Sequence, residues 1–154
     1  MQSTWKPFVL MLVLIAGVGA FALKSAARPA ATVNEIPAVV GEVPEDPVPP
    51  SYESSQPGLP RLVAVGAGKC IPCRAMAPIR AELRQEYAGE LVVDFYDVWK
   101  NPPAGDYFGV WVIPTLIYYD AAGRELGRQQ GYIPKEAILT TLRKFGVPLT
   151  RAPG

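Results

Sequence analysis

The chain's two cysteines stand two residues apart in Gly68-Lys69-Cys70-Ile71-Pro72-Cys73-Arg74, between an apolar run and a helical pattern. Thiols at that spacing at a helix start can close into a small disulfide ring and reopen. Whatever fold the chain adopts must therefore bring a strand end and a helix N-terminus to one point. Other uses of the pair are weaker. A bridge across so short a loop removes little unfolded-state entropy, which argues against a purely structural disulfide. Two cysteines and no histidine in 154 residues fall short of the four ligands of a structural zinc site. The lack of histidine also excludes His-based acid–base catalysis, and neither a metal nor a cofactor is expected. A formal net charge of +1 gives no electrostatic case for a nucleic-acid partner.

The chain divides by composition. Pro7 to Leu23 is an unbroken apolar run between Lys6 and Lys24, at the lower edge of the length that spans a bilayer. Two readings of it stand: an uncleaved signal anchor, or a signal peptide cleaved near Ala20-Phe21-Ala22. Either puts the rest of the chain outside the cytoplasm, membrane-anchored in the first case and secreted in the second. Lys6 and the terminal amine are nearly matched by Lys24 and Arg28, so charge bias does not decide the orientation. From Pro29 to Pro60 there are eight prolines and five acidic residues, with no lysine or arginine. Such a stretch buries too little apolar surface to offset its ordering entropy and should stay extended and mobile. The expected organisation is residues 1–28 as signal segment, 29–60 as disordered acidic linker, 61–148 as a single domain and 149–154 as a tail.

Within the domain, Leu62-Val63-Ala64-Val65 reads as a buried strand ending in glycines. A helix should start at the cysteines and reach Tyr87, with Met76, Ile79, Leu83 and Tyr87 as its apolar stripe and Pro78 kinking it. Leu91–Asp97, Thr115–Tyr119 and the more polar Glu125–Gln130 read as strands, Pro103–Phe108 as a short helix and Pro134–Phe145 as the closing helix. A parallel pair joined by a helix, with an antiparallel hairpin after it, predicts an α/β fold with a mixed four-stranded sheet flanked by helices.

A cysteine where a strand meets a helix lies near the positive end of the helix dipole, which favours the thiolate. Cys70 is therefore the expected nucleophile and Cys73 the resolving thiol. The positive charges of Lys69 and Arg74 should favour the thiolate further.

The domain resembles thioredoxin over roughly Leu62 to Phe145. Cys70-Ile71-Pro72-Cys73 matches the family's Cys-Gly-Pro-Cys in all but the second position, with basic Arg74 after it and Pro78 five residues beyond Cys73. Met76-Ala77-Pro78-Ile79 and Glu86-Tyr87-Ala88-Gly89 also read like the family's active-site helix. Val112-Ile113-Pro114-Thr115 resembles its cis-proline loop, and Gly131 the glycine facing that loop. The resemblance implies a thioredoxin fold, a redox-active Cys70–Cys73 disulfide and a cis Pro114 packed beside it. It also implies a substrate-binding platform of Ile71, Pro72, Val112, Ile113, Pro114 and Gly131. Trp111 and Tyr132 either join that platform or pack in the core.

Three departures from the family pattern bear on activity. Lys69 stands where the family has tryptophan. Ala64 stands where it has a buried aspartate that assists the second cysteine, and Phe95 where it has that aspartate's lysine partner. Asp94 and Asp97 could substitute only by pointing inward, and a solvent-facing position is expected for both. The family's N-terminal strand and helix also have no match, Pro-rich sequence occupying their place. The expected function is a tethered protein-disulfide reductase acting on exported proteins and recharged by a membrane electron donor. The alternatives are an extracytoplasmic oxidase or isomerase, a thiol reductase of cytochrome c maturation, and a protein-binding module with a vestigial redox pair.

Overall fold

A computed structural model describes residues 44–49 and 51–150. The hydrophobic run at 7–23, the linker as far as residue 43 and the tail residues 151–154 lie outside the described residues. Among those described, no helix is long and apolar enough to cross a membrane.

The elements are, in chain order, β1 (Arg61–Gly66), α1 (Ile71–Ala75), α2 (Ala77–Glu86), β2 (Val92–Asp97), α3 (Pro103–Phe108), β3 (Thr115–Tyr119), β4 (Glu125–Gln130) and α4 (Lys135–Lys144). The four strands form one sheet in the order β2-β1-β3-β4. β1 pairs parallel with β2 and antiparallel with β3, and β3 pairs antiparallel with β4. This is the mixed sheet expected from the sequence. The helix expected from the cysteines to Tyr87 is two helices meeting at Met76. Pro78 is the cause: it has no N–H to give, and its ring clashes with the carbonyl four residues back. It sits in the first turn of α2, where neither defect matters.

Helices cover both faces of the sheet, which is why β1 is buried at every position. On one face Leu62 and Ala64 pack with Met76, Leu83 and Tyr87 and with Ile138, Leu139 and Leu142 of α4. On the other, Val63 and Val65 pack with Tyr96, Ala104 and Phe108. The amphipathic stripes of the sequence thus face the sheet as expected, with one exception: Arg80 is 2% exposed on α2.

The stretch expected to be a mobile linker up to Pro60 lies against the domain where it is described. Asp46 pairs with Arg80 and Arg84 of α2 on one face. On the other, Tyr52 stacks on Tyr107 at 4.5 Å between ring centroids, and its hydroxyl donates to Asn101 Oδ1 at 2.7 Å. The segment therefore straps the free edge of β2. That edge is further occupied by Arg84 Nε, which donates to the Val93 carbonyl at 2.8 Å. Composition argued for disorder because it counts apolar area. What holds the strap is one carboxylate between two guanidiniums and one aromatic ring in an aromatic pocket. At the other terminus order also runs past residue 148, with Thr150 bonded through its N–H and hydroxyl to Glu90.

Candidate active site

The strand register gathers the chemistry at one end of the sheet. β1 ends at Gly66, and its neighbours there are Asp97, the last residue of β2, and Thr115, the first of β3, which pairs with Val65. One step beyond that pair, Pro114 falls beside Gly66. Gln130 pairs with Thr115, so Gly131 comes next at the same end. The Gly131 N–H donates to the Pro114 carbonyl at 2.8 Å, and Gly131 holds φ +87°, a conformation that favours glycine. The Ile113–Pro114 bond is cis. Thr115 Oγ1 donates to the Val112 carbonyl at 2.6 Å and ties this loop to itself.

After Gly66 the chain turns through Ala67-Gly68-Lys69, closed by the Cys70 N–H donating to the Ala67 carbonyl at 3.1 Å. Cys70 is the N-cap of α1. The first N–H groups of a helix have no intrahelical acceptor, so they favour an anion at that sulfur. Cys70 and Cys73 form a disulfide with Cα atoms 5.2 Å apart. Cys70 is half-exposed, whereas Cys73 is 1% exposed. Lys69 and Arg74 are both at the surface on either side of the pair.

Of the expected platform, Ile71 and Val112 are exposed and Pro72 and Gly131 half-exposed. Pro114 is buried and Ile113 packs partly into the core. Trp111 is 87% exposed, so it is no core residue. Tyr132 is partly buried against the main cluster and belongs to the core more than to the surface.

Ala64 and Phe95 are register partners on adjacent strands and share the face that carries the main cluster. Neither acidic candidate replaces a buried helper there. Asp94 pairs with Arg61 at 2.6 Å, on the opposite face of β2 from Phe95. Asp97 is half-exposed and accepts backbone N–H groups instead: Gly68 on Oδ2 at 2.9 Å, and Trp99 and Lys100 on Oδ1 at 2.9 and 3.3 Å. It clamps the loop before Cys70 to the end of β2. Sequence reading considered Asp97 only as a proton carrier and missed this role. It also missed Arg80 and Asp46. Arg80 falls at helical spacing with Met76, Leu83 and Tyr87, so a charge on an apolar stripe was there to be seen.

The family model for thioredoxin matches residues 55–144. The chain belongs to the thioredoxin family. Among similar curated proteins, the thioredoxin of Synechocystis is 34% identical over 56% of this chain and 80% of its own length. The thioredoxin of Alicyclobacillus acidocaldarius is 39% identical over 51% of this chain and 74% of its own. That of Staphylococcus haemolyticus is 36% identical over 60% and 86%. A solved structure described as that of a malarial protein superposes with a TM-score of 0.53 at 18% identity, covering 56% of this chain and 97% of the other. That likeness speaks for the fold alone. As a thioredoxin-family protein with its cysteine pair in place and close enough to bridge, the chain is a thiol–disulfide oxidoreductase acting on protein disulfides.

Proposed function

We propose that this oxidoreductase works outside the cytoplasm, held to the membrane by its hydrophobic amino end, and reduces disulfides of exported proteins. The single observation that carries the assignment of roles is the contrast in exposure between the two sulfurs: Cys70 is half-exposed at the N-cap of α1, and Cys73 is buried beneath it. The Cys70 thiolate attacks one sulfur of the substrate disulfide, forming a mixed disulfide and releasing the other substrate sulfur as a thiolate. Cys73, deprotonated, then attacks Cys70 Sγ, closing the Cys70–Cys73 bond and releasing the second substrate thiolate. Two electrons pass to the substrate. A membrane dithiol or equivalent donor must return them, because the chain holds no second cysteine pair.

Lys69 and Arg74 favour the attacking thiolate by their charge. Ile71 at 68% and Val112 at 51% exposure, with Trp111 next to Val112 in sequence, offer apolar surface to a substrate segment, and Pro72, Ile113, Pro114 and Gly131 form the floor of that surface. The stretch between the hydrophobic run and residue 44 serves as the tether.

The test is reduction of insulin by the purified full chain in detergent, with dithiothreitol as donor, compared with Cys70→Ser. The chain should accelerate insulin precipitation and the variant should not. Equal rates for the two proteins would refute the oxidoreductase roles given to the cysteines. Failure of an epitope-tagged chain to sediment with membranes would refute the anchor.

A further inference from the structure

Behind Cys73, on the side away from substrate, lies a charged cluster that the thiol exchange does not use. Arg80 on α2 has a side chain 3% exposed, and its partner Asp46 on the strap has one 7% exposed. Arg80 Nη1 donates to the Cys73 carbonyl at 3.2 Å, and the guanidinium lies 4.1 Å from the centroid of the Phe95 ring. Phe95 and the active-site sulfur both come close to Gly66: a methyl group placed there would be 3.0 Å from Phe95 Cε2 and 3.0 Å from Cys73 Sγ. The guanidinium therefore lies over a ring that, with the Cys73 sulfur, packs around Gly66. Arg84, with a side chain 22% exposed, shares the Asp46 carboxylate, so the cluster carries two positive charges and one negative.

A buried ion pair contributes little stability over apolar residues of the same volume. An arginine is seldom this deeply buried without a partner, and here the partner must come from 34 residues away. A net positive charge fixed in a water-poor setting does, however, act on a neighbouring group that ionises to an anion.

We propose that Arg80 and Asp46 are a pair of positioning residues of opposite sign that set how readily the active-site thiols ionise, and thereby the redox equilibrium of the Cys70–Cys73 pair. The inference rests on the thiol–disulfide chemistry of the proposed function. Reduction takes the neutral disulfide, two electrons and one proton to a thiolate and a thiol. The cluster's net positive charge stabilises the thiolate and so the reduced form, and Asp46 moderates it. The other charges facing the site are Lys69 in the loop, Arg74 on α1, Asp97 and Lys100 at and after the end of β2, and Glu45 on the strap, 3.9 Å from Lys100 Nζ. The strap is part of the device, because it carries Asp46. It walls one side of a cleft of about 460 Å³ whose other side includes Gly68, Arg74, Phe95 and Asp97.

The test uses the full chain in detergent with Asp46→Asn, Arg80→Met, Arg80→Lys and the double variant Asp46→Asn/Arg80→Met. Thiolate absorbance and alkylation rate against pH give the thiol pKa, and equilibration with glutathione gives the redox constant. Removing the negative charge should lower the thiol pKa, and removing the positive charge should raise it, each by about 0.5 pH unit or more. The redox constant should move about threefold in the matching direction, equivalent to about 15 mV. Arg80→Lys should restore most of the value, and the double variant should fall between the two single ones. A structural staple would instead move both single variants the same way, and shifts of the same sign, or none, in folded protein overturn the inference. If Arg80→Met does not fold, Asp46→Asn decides alone: a lowered pKa supports the proposal and an unchanged one overturns it. Thiol titration needs no turnover. A wild-type chain inactive on insulin would therefore count against the proposed function and leave this test intact.

Discussion

Gly66→Ala tests the packing beneath the active site. Two effects of opposite sign compete at this position. Alanine in place of glycine restricts the unfolded chain and stabilises by roughly 0.4–1 kcal/mol where the backbone accepts it. Gly66 closes a strand and shows no positive φ, so the backbone accepts it here. Against this, the new methyl would stand 3.0 Å from Phe95 Cε2 and 3.0 Å from Cys73 Sγ, several tenths of an ångström inside ordinary contact. The ring cannot retreat freely, because Arg80 lies over it. Overpacking of this kind costs about 1–3 kcal/mol, so destabilisation wins.

The size of the loss should depend on redox state. In the oxidised protein Cys73 Sγ is tied to Cys70 and cannot turn aside. In the reduced protein it can rotate and yield part of the space. Net of the entropic gain, we expect Gly66→Ala to cost about 0.5–2.5 kcal/mol when oxidised and about 1 kcal/mol less when reduced. By linkage the difference makes the pair more oxidising by about 20 mV. Urea unfolding of wild type and variant, each with and without reductant, measures both costs, and the glutathione equilibrium measures the difference independently. An oxidised Gly66→Ala protein as stable as wild type would refute the close approach of Phe95 and Cys73 on which the reasoning stands. Equal losses in the two redox states would refute the part given to the sulfur.

Asp97→Ala should release the loop before Cys70, since it removes the acceptor of three backbone N–H groups. A loss of about 1–3 kcal/mol in urea unfolding, with faster hydrogen exchange at the Gly68 amide, is expected, and unchanged exchange there would deny the clamp. Lys135 joins α4 to α2 through Glu86 at 2.6 Å and Glu82 at 2.9 Å. Hydrogen bonds to Glu86 and then Glu82 hold its pKa above the ordinary 10.5. A raised lysine pKa contributes stability that is fully present below the unfolded value and is lost as pH rises through the folded one. The stability gap between wild type and Lys135→Met should therefore stay constant from pH 7 to about 10 and close above that, remaining under about 1 kcal/mol because the pair is largely solvated. A gap that widened on the alkaline side would be the wrong sign.

What could be read from the chain and what could not divide along a physical line. The strands Thr115–Tyr119 and Glu125–Gln130, the short helix Pro103–Phe108 and the redox pair are encoded within a few residues of themselves, by alternation, turn residues or spacing. The break at Met76 was half legible: Pro78 announced a disturbance, but whether it kinks a helix or opens a second one depends on what the first turn packs against. The strap was not legible at all, because its hold depends on residues far along the chain. Asp46 meets Arg80 across 34 positions, and Tyr52 meets Asn101 across 49. Arg80 shows how close the two cases lie. Choosing Ile79 for the α2 stripe satisfied the count of apolar residues, yet the spacing Met76, Arg80, Leu83, Tyr87 is equally helical and puts a guanidinium in the core. A charge at such a position requires a counter-charge, and no acid within reach on α2 itself supplies it. That demand could be stated from the sequence, whereas the acid that answers it becomes visible only when the sheet brings the strap round to its edge.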